Sequence, residues 1–200
     1  GATLTEIRAA YLEKTSQKKF TKVFIHDESV IDEFKRYHAA YVYIVKDFAE
    51  SENISDLSLY PPDQAFRMIV NQGIYYLINY NYIKAGEKFQ EAYTMNRDSE
   101  EVLIYLGLLL LKRKNYYAAE KYFLDVVKRN KENEDAWILL GETYLKAGNE
   151  RKALVMFETA KKLNPLRPEI LEMMKPLMEK KQPGPRKSSF FKDILDRFKK

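Results

Sequence analysis

Apolar residues recur along most of the chain with the spacing of amphipathic helices. Residues 134–167 contain two such patterns, separated by the short polar stretch 146–149. Each pattern has the period of three to four residues that gives a helix one apolar face, so the segment predicts a helix, a turn and a second helix. Gly148 suits a positive φ at the turn, and Asn149 suits the cap of the second helix.

The same arrangement recurs every 34 residues. Five columns of residues align without a gap across the segments 66–99, 100–133 and 134–167. A glycine inside a helix costs about 1 kcal/mol relative to alanine, so its recurrence predicts that another helix approaches closely, with the alanine column as the expected small partner. The columns are Gly73, Gly107 and Gly141; Asn81, Asn115 and Asn149; Ala85, Ala119 and Ala153; Phe89, Phe123 and Phe157; and Ala92, Val126 and Ala160.

This unit resembles the tetratricopeptide repeat, whose pattern of large and small residues it follows. The third segment matches most fully; the first two have Arg97 and Lys131 where the family has proline. The resemblance implies an all-α fold, a right-handed solenoid of helix-turn-helix repeats, and a role in binding other proteins. The matching residues of the third segment are Trp137, Leu140, Gly141, Tyr144, Ala153, Phe157 and Pro165.

Helices are also predicted on both sides of the repeats. An N-terminal helical extension is expected over 1–61, with a strongly amphipathic helix at 28–50. The repeat domain is expected over 62–181, ending in a closing helix at 168–181 that Pro176 should kink or terminate.

The end of the chain predicts a linker followed by a second amphipathic element. Residues 182–188 contain Pro and Gly and should form the linker. In residues 189–200 the apolar side chains share one face of a helix, and the charged ones lie opposite. This tail helix has three candidate partners: its own or a symmetry-related repeat body, another protein, or an anionic membrane surface. Its docking residues would be Phe190, Phe191, Ile194, Leu195 and Phe198.

The resemblance also implies a binding groove, lined by the first helix of each repeat. An apolar groove needs an occupant. Two remain open: the 28–50 helix as part of the fold, or a helix or extended peptide of a partner protein. The expected groove residues are Val70, Ile74, Leu77, Ile78, Ile104, Tyr105, Leu108, Leu111, Ile138, Leu139, Glu142 and Leu145.

One known mode of binding does not fit this groove. Family members that resemble chaperone adaptors hold terminal carboxylates with Lys, Asn and Arg at five groove positions. Here the corresponding residues are Val70, Ile74, Tyr105, Asp135 and Leu139, none of which matches. A carboxylate clamp of that type is therefore rejected.

Composition argues against catalysis and cofactors. The chain has no cysteine and only two histidines, so thiol chemistry and Cys- or His-based metal sites are excluded or improbable. Acidic clusters at 98–101 and 132–135 open helices, where the helix dipole stabilises carboxylates. No phosphate loop or nucleophile motif is present. We expect a non-enzyme without cofactor or metal.

Charge places the basic character in the tail. Residues 179–200 hold eight Lys and Arg against three acidic residues, which equals the whole net charge of +5. A neutral remainder argues against nucleic-acid binding. No apolar run approaches the length of a transmembrane helix. The start at Gly1 without Met suggests a processed or cloned end, so the cytoplasm and the periplasm or envelope both remain open.

These observations predict a non-catalytic adaptor or scaffold that binds another protein through the groove, the tail or both. The alternative is a peripheral membrane or cell-envelope assembly factor attached through the basic tail. Low Gly and Ala with many Lys, Ile, Tyr and Asn further suggest a bacterial source.

Overall fold

The fold consists of helices joined by short turns. The computed structural model describes residues 4–15, 28–49 and 61–181, and within these ranges nine helices and no strand are found. The helices are α1 (Leu4–Thr15), α2 (Glu28–Ala49), α3 (Pro62–Ile78), α4 (Tyr82–Met95), α5 (Glu100–Lys112), α6 (Tyr116–Arg129), α7 (Glu134–Lys146), α8 (Glu150–Leu163) and α9 (Pro168–Lys181). The all-α solenoid expected from the sequence is confirmed.

Three helix pairs, α3–α4, α5–α6 and α7–α8, correspond to the three 34-residue segments. The asparagine column caps the second helix of each pair, because each side-chain oxygen accepts a hydrogen bond from a backbone N–H three residues on. The donors are Lys84, Ala118 and Lys152, at 3.2, 3.3 and 3.1 Å. The predicted turn at residues 146–149 therefore has the expected cap.

The residue before each capping asparagine has a positive φ. Gly148 has φ of 80°, as its lack of a Cβ allows. At the equivalent places Tyr80 and Lys114 adopt φ of 60° and 61°. The backbone of the turn is therefore the same in all three repeats, although only one of them uses glycine.

Each glycine of the glycine column packs against the ring of a phenylalanine in the same repeat. A Cβ placed on Gly73, Gly107 or Gly141 would lie 2.5 to 2.6 Å from a ring carbon of the phenylalanine 16 residues later. The alanine column was expected to be the partner of these glycines, but the atoms nearest to each added Cβ belong to the phenylalanine ring. The alanines are fully buried, but the large rings fill the space that the missing Cβ leaves.

The other residues of the third repeat that match the family pattern include Trp137, Tyr144 and Pro165, which lie in or near the turns. The Trp137 indole N–H donates to the backbone oxygen of Lys131 at 2.8 Å. The Tyr144 hydroxyl donates to Glu120 at 2.7 Å, and burial together with this bond raises the pKa of Tyr144 to about 12. Pro165 is exposed in the turn before α9.

Helices α1, α2 and α9 cover the two ends of the solenoid. On α9, Ile170, Met174 and Leu177 are buried against the last repeat. The helix continues through Pro176 to Lys181, so the proline does not terminate it. On α2, Phe34 is fully buried in the same core. The central repeats thus have helices packed on both sides.

Candidate functional site

Most of the expected groove residues lie in the core. Ten of the twelve are buried, and only Glu142 and Leu145 are partly exposed. Tyr105 shows the reason: its ring stacks on Phe89 of the preceding repeat, with centroids 5.0 Å apart. Packing against neighbouring helices therefore buries side chains that the repeat register assigns to the groove. The buried ten are Val70, Ile74, Leu77, Ile78, Ile104, Tyr105, Leu108, Leu111, Ile138 and Leu139.

The N-terminal helices cover part of the first repeat. The Asn71 side-chain amide donates to the Thr15 hydroxyl at 2.9 Å. The His38 ring of α2 stacks on Tyr75 at 4.3 Å, and its Nδ1 lies 2.8 Å from the Tyr11 hydroxyl. Burial lowers the pKa of His38 to about 4, so the ring is neutral near pH 7. This end of the repeats is closed by the chain itself.

A cavity of about 500 Å³ opens between α5, α7 and α9. Leu108, Leu111, Leu145 and Met173 supply an apolar wall. Its other described lining residues are polar or amphipathic: Lys112, Lys114, Tyr116, Glu142 and Lys146. The cavity combines an apolar surface with a largely cationic rim, which suits an apolar side chain presented by another protein.

A second cavity, of about 450 Å³, lies where α2 meets the first two repeats. Leu77 and Ile78 are its buried apolar wall, and Ile31 of α2 lies across from them. Glu28, Asp32, Lys35 and Lys112 make the remaining rim mixed in charge, and Tyr80 and Tyr82 also line it. Helix α2 forms one side of this cavity. Its rim carries both positive and negative charges, whereas the rim of the first cavity is largely cationic.

A row of charged residues crosses the first helices of the repeats. Arg67 donates to Glu101 at 2.6 Å, and Arg167 donates to Glu134 and Asp135 at 2.7 Å. Burial raises the pKa of Glu101, although Arg67 opposes the shift. The acidic clusters expected at helix starts are therefore held largely by arginine.

Two buried atoms in this row have no hydrogen bond to a described residue. They are the hydroxyl oxygen of Tyr105 and Oε1 of Glu101. Burial raises the pKa of Tyr105 well above its usual value, and the Glu101 charge adds to the shift. The hydroxyl therefore stays protonated, which keeps a hydrogen-bond donor buried in the row.

The predicted tail helix, with Phe190, Phe191, Ile194, Leu195 and Phe198, lies outside the described residues. Among the residues that are described, no cluster of three or more His, Asp or Glu is placed to bind a metal ion. Within the same ranges no helix combines the length and apolar character needed to cross a lipid bilayer.

Lys114, Tyr116 and Met173 line the cavity but are not among the residues expected from the sequence. Met173 belongs to the closing helix, which was expected only to cover the last repeat. A spacing signal did exist, because Met173 precedes the buried Met174 and so borders the packed face of α9. Lys114 and Tyr116 flank the second turn, beyond the first-helix positions that the family assigns to the groove.

Comparison with known proteins connects this architecture to one family. Residues 110–175 match the model of the tetratricopeptide repeat. The comparison with curated proteins gives no match.

Similar solved structures share the fold. A double mutant of MamA from RS-1 is 16% identical, with a match that covers 98% of this chain and 94% of that chain at a TM-score of 0.57. The Yersinia enterocolitica type III secretion translocator chaperone SycD is 15% identical, covering 58% and 94% at 0.55. The second repeat domain of human RPAP3, in complex with the HSP70 peptide SGPTIEEVD, is 17% identical, covering 56% and 98% at 0.51. At these identities the likeness establishes the fold.

Proposed function

The chain is a tetratricopeptide-repeat protein, and from that premise we propose that it is a non-catalytic adaptor that binds a partner protein at the cavity between α5, α7 and α9. The fold is generally a scaffold for protein interactions. Two of the similar structures come from proteins whose names describe such work, a translocator chaperone and a domain holding a peptide.

The observation that carries the proposal is the composition of this cavity. Leu145 and Met173 are partly exposed beside the buried Leu108 and Leu111, so apolar surface is reachable from outside. A volume of about 500 Å³ accommodates one or two large side chains, the size of anchor that dominates many protein interfaces. The partner would present these anchors from a helix or an extended peptide.

Substitution of the two partly exposed residues of the apolar wall tests this assignment. Leu145→Lys and Met173→Lys each place a charge in the apolar wall, which should abolish capture of the partner from a native extract, quantified by mass spectrometry. Leu171→Lys is the matched control, because Leu171 lies on the same helix as Met173 but is exposed away from the cavity. Equal recovery of every captured protein by all three variants would refute this site.

A further inference from the structure

Charge is separated between the two edges of the solenoid. The turns inside the repeats, residues 78–84, 112–118 and 146–152, are here called the inner-turn edge. It carries seven Lys and Arg and one Glu, and all seven cations are exposed. They are Lys84, Lys112, Arg113, Lys114, Lys146, Arg151 and Lys152.

The opposite edge has the reverse balance. The turns between repeats, at 95–101, 129–135 and 163–169, contain seven acidic and four basic residues. Residues 1–178 sum to zero charge, yet the repeats among them have a basic edge and an acidic edge. That separation is invisible in the net charge and appears only when the fold lines up the turns.

The three inner turns lie side by side. Tyr80 and Tyr82 of the first turn line one cavity together with Lys112 of the second. Lys112 and Lys114 line the other cavity together with Lys146 of the third. Lys112, Lys114 and Lys146 therefore lie around one opening, and the first turn adjoins them through Tyr80 and Tyr82.

The two edges also differ in how their charges are paired. On the acidic edge, Arg129 pairs with Asp98, and Arg167 pairs with Glu134 and Asp135. None of the seven cations of the inner-turn edge forms an ion pair with another described residue. Lys84 and Lys152 instead lie over the rings of Tyr76 and Tyr144. The positive field of this edge is left available to an external anion.

Large apolar side chains protrude from the same edge. Tyr80, Ile83 and Tyr117 are 79%, 74% and 71% exposed. Tyr80 keeps a left-handed φ where the third repeat has Gly148, so the turn itself does not require a tyrosine. Exposed aromatic and aliphatic tips beside lysines are the composition of surfaces that enter the interfacial region of a membrane.

We propose that the inner-turn edge docks on an anionic lipid surface. The Lys and Arg row lies against the headgroups, while Tyr80, Ile83 and Tyr117 insert between them. Ile83 and Tyr117 protrude from the turns and line neither of the two cavities, which suits a deformable surface better than a shaped protein partner. An aliphatic tip such as Ile83 offers no ring for a nucleic-acid base to stack on. The basic row shares Lys112, Lys114 and Lys146 with the rim of the partner cavity, whereas Tyr80, Ile83 and Tyr117 lie outside that cavity.

Vesicle co-sedimentation of the full chain tests the proposal. We expect binding to phosphatidylcholine vesicles containing phosphatidylglycerol, weaker binding at high salt, and none to phosphatidylcholine alone. Lys112→Glu with Lys114→Glu should weaken binding by about tenfold or more. The matched control is Lys161→Glu with Lys162→Glu, an equal charge change at exposed residues of α8 away from this edge, and it should stay within about twofold.

A second variant removes the three exposed apolar side chains without changing the charge. Tyr80→Gly, Ile83→Ser and Tyr117→Ser together should weaken vesicle binding while circular dichroism stays unchanged, because all three side chains are exposed and glycine is compatible with the first turn. Wild-type binding by both edge variants would place any membrane contact elsewhere, including the tail, and would overturn the proposal. Failure of the wild type to bind anionic vesicles, or binding of an RNA oligonucleotide or an acidic peptide in their place, would overturn it as well.

Discussion

The Phe123 ring lies against the bare Cα of Gly107, so close that a Cβ there would come within 2.6 Å of a ring carbon. Gly73 and Gly141 have the same relation to Phe89 and Phe157. The three rings are fully buried. The contact therefore defines how the two helices of each repeat approach, and it is repeated three times along the solenoid.

Gly107→Ala should destabilise the protein. The added methyl group overpacks a buried ring, at a cost of about 1–3 kcal/mol, and the gain of about 1 kcal/mol in helix propensity offsets only part of it. We expect the free energy of unfolding to fall by about 1–2 kcal/mol in a urea titration.

Gly86→Ala is the control for this substitution. A Cβ at Gly86 would lie 3.1 Å from one terminal methyl of Leu109, against 2.6 Å at Gly107, so a shift of a few tenths of an ångström relieves it and the gain in helix propensity should leave stability equal or higher. If the two alanine variants change stability equally, close packing on Gly107 is not what the structure implies.

The helices, the turns and the repeat register could be predicted from the sequence because they depend on local periodicity. The contact partners could not. Ala119 was expected to be the close neighbour of Gly107, yet the nearest atoms belong to Phe123, since a 34-residue register does not state which side chain comes closest between two helices. Likewise Tyr105 occupies a groove position but stacks on Phe89, because burial depends on neighbouring helices that a single repeat does not specify. Site residues were therefore less predictable than the fold.

The inner turns offer a reciprocal test of backbone strain. Gly148 has φ of 80°, where a Cβ is unfavourable although it would meet no atom within 4 Å. Gly148→Ala should therefore lower the free energy of unfolding by about 1 kcal/mol through strain alone. Lys114→Gly should have little effect or raise stability slightly, because it relieves a positive φ but adds freedom to the unfolded chain. Thermal or urea unfolding would contradict this if Gly148→Ala proved neutral.

The His38 contact predicts a pH dependence of stability. Burial lowers the folded-state pKa to about 4 from the 6.5 of the unfolded chain. The unfolded state therefore takes up the proton first, so the stabilisation from the neutral ring is complete above about pH 6.5 and is lost as the pH falls toward 4. Between pH 7 and pH 4.5 the loss from this residue should be about 2–3 kcal/mol.

His38→Phe identifies the residue responsible. Phenylalanine keeps an aromatic ring between Phe34 and Tyr75 but does not titrate. The variant should be less stable at pH 7, because the Tyr11 hydroxyl loses its bond to Nδ1, yet it should have a flatter dependence of unfolding free energy on pH. An unchanged slope between pH 7 and pH 4.5 would assign the effect to other groups.

The buried Tyr105 hydroxyl predicts that its removal raises the free energy of unfolding. It makes no hydrogen bond to a described residue, and a buried unpaired polar group costs about 1–3 kcal/mol. Tyr105→Phe keeps the ring stacked on Phe89 and should raise the free energy of unfolding by about 1 kcal/mol. Tyr144→Phe is the matched comparison and should lower it, because the Tyr144 hydroxyl donates to Glu120 at 2.7 Å. Urea titration of both variants separates the cases, and a loss of stability in Tyr105→Phe would mean that the hydroxyl is hydrogen-bonded in solution.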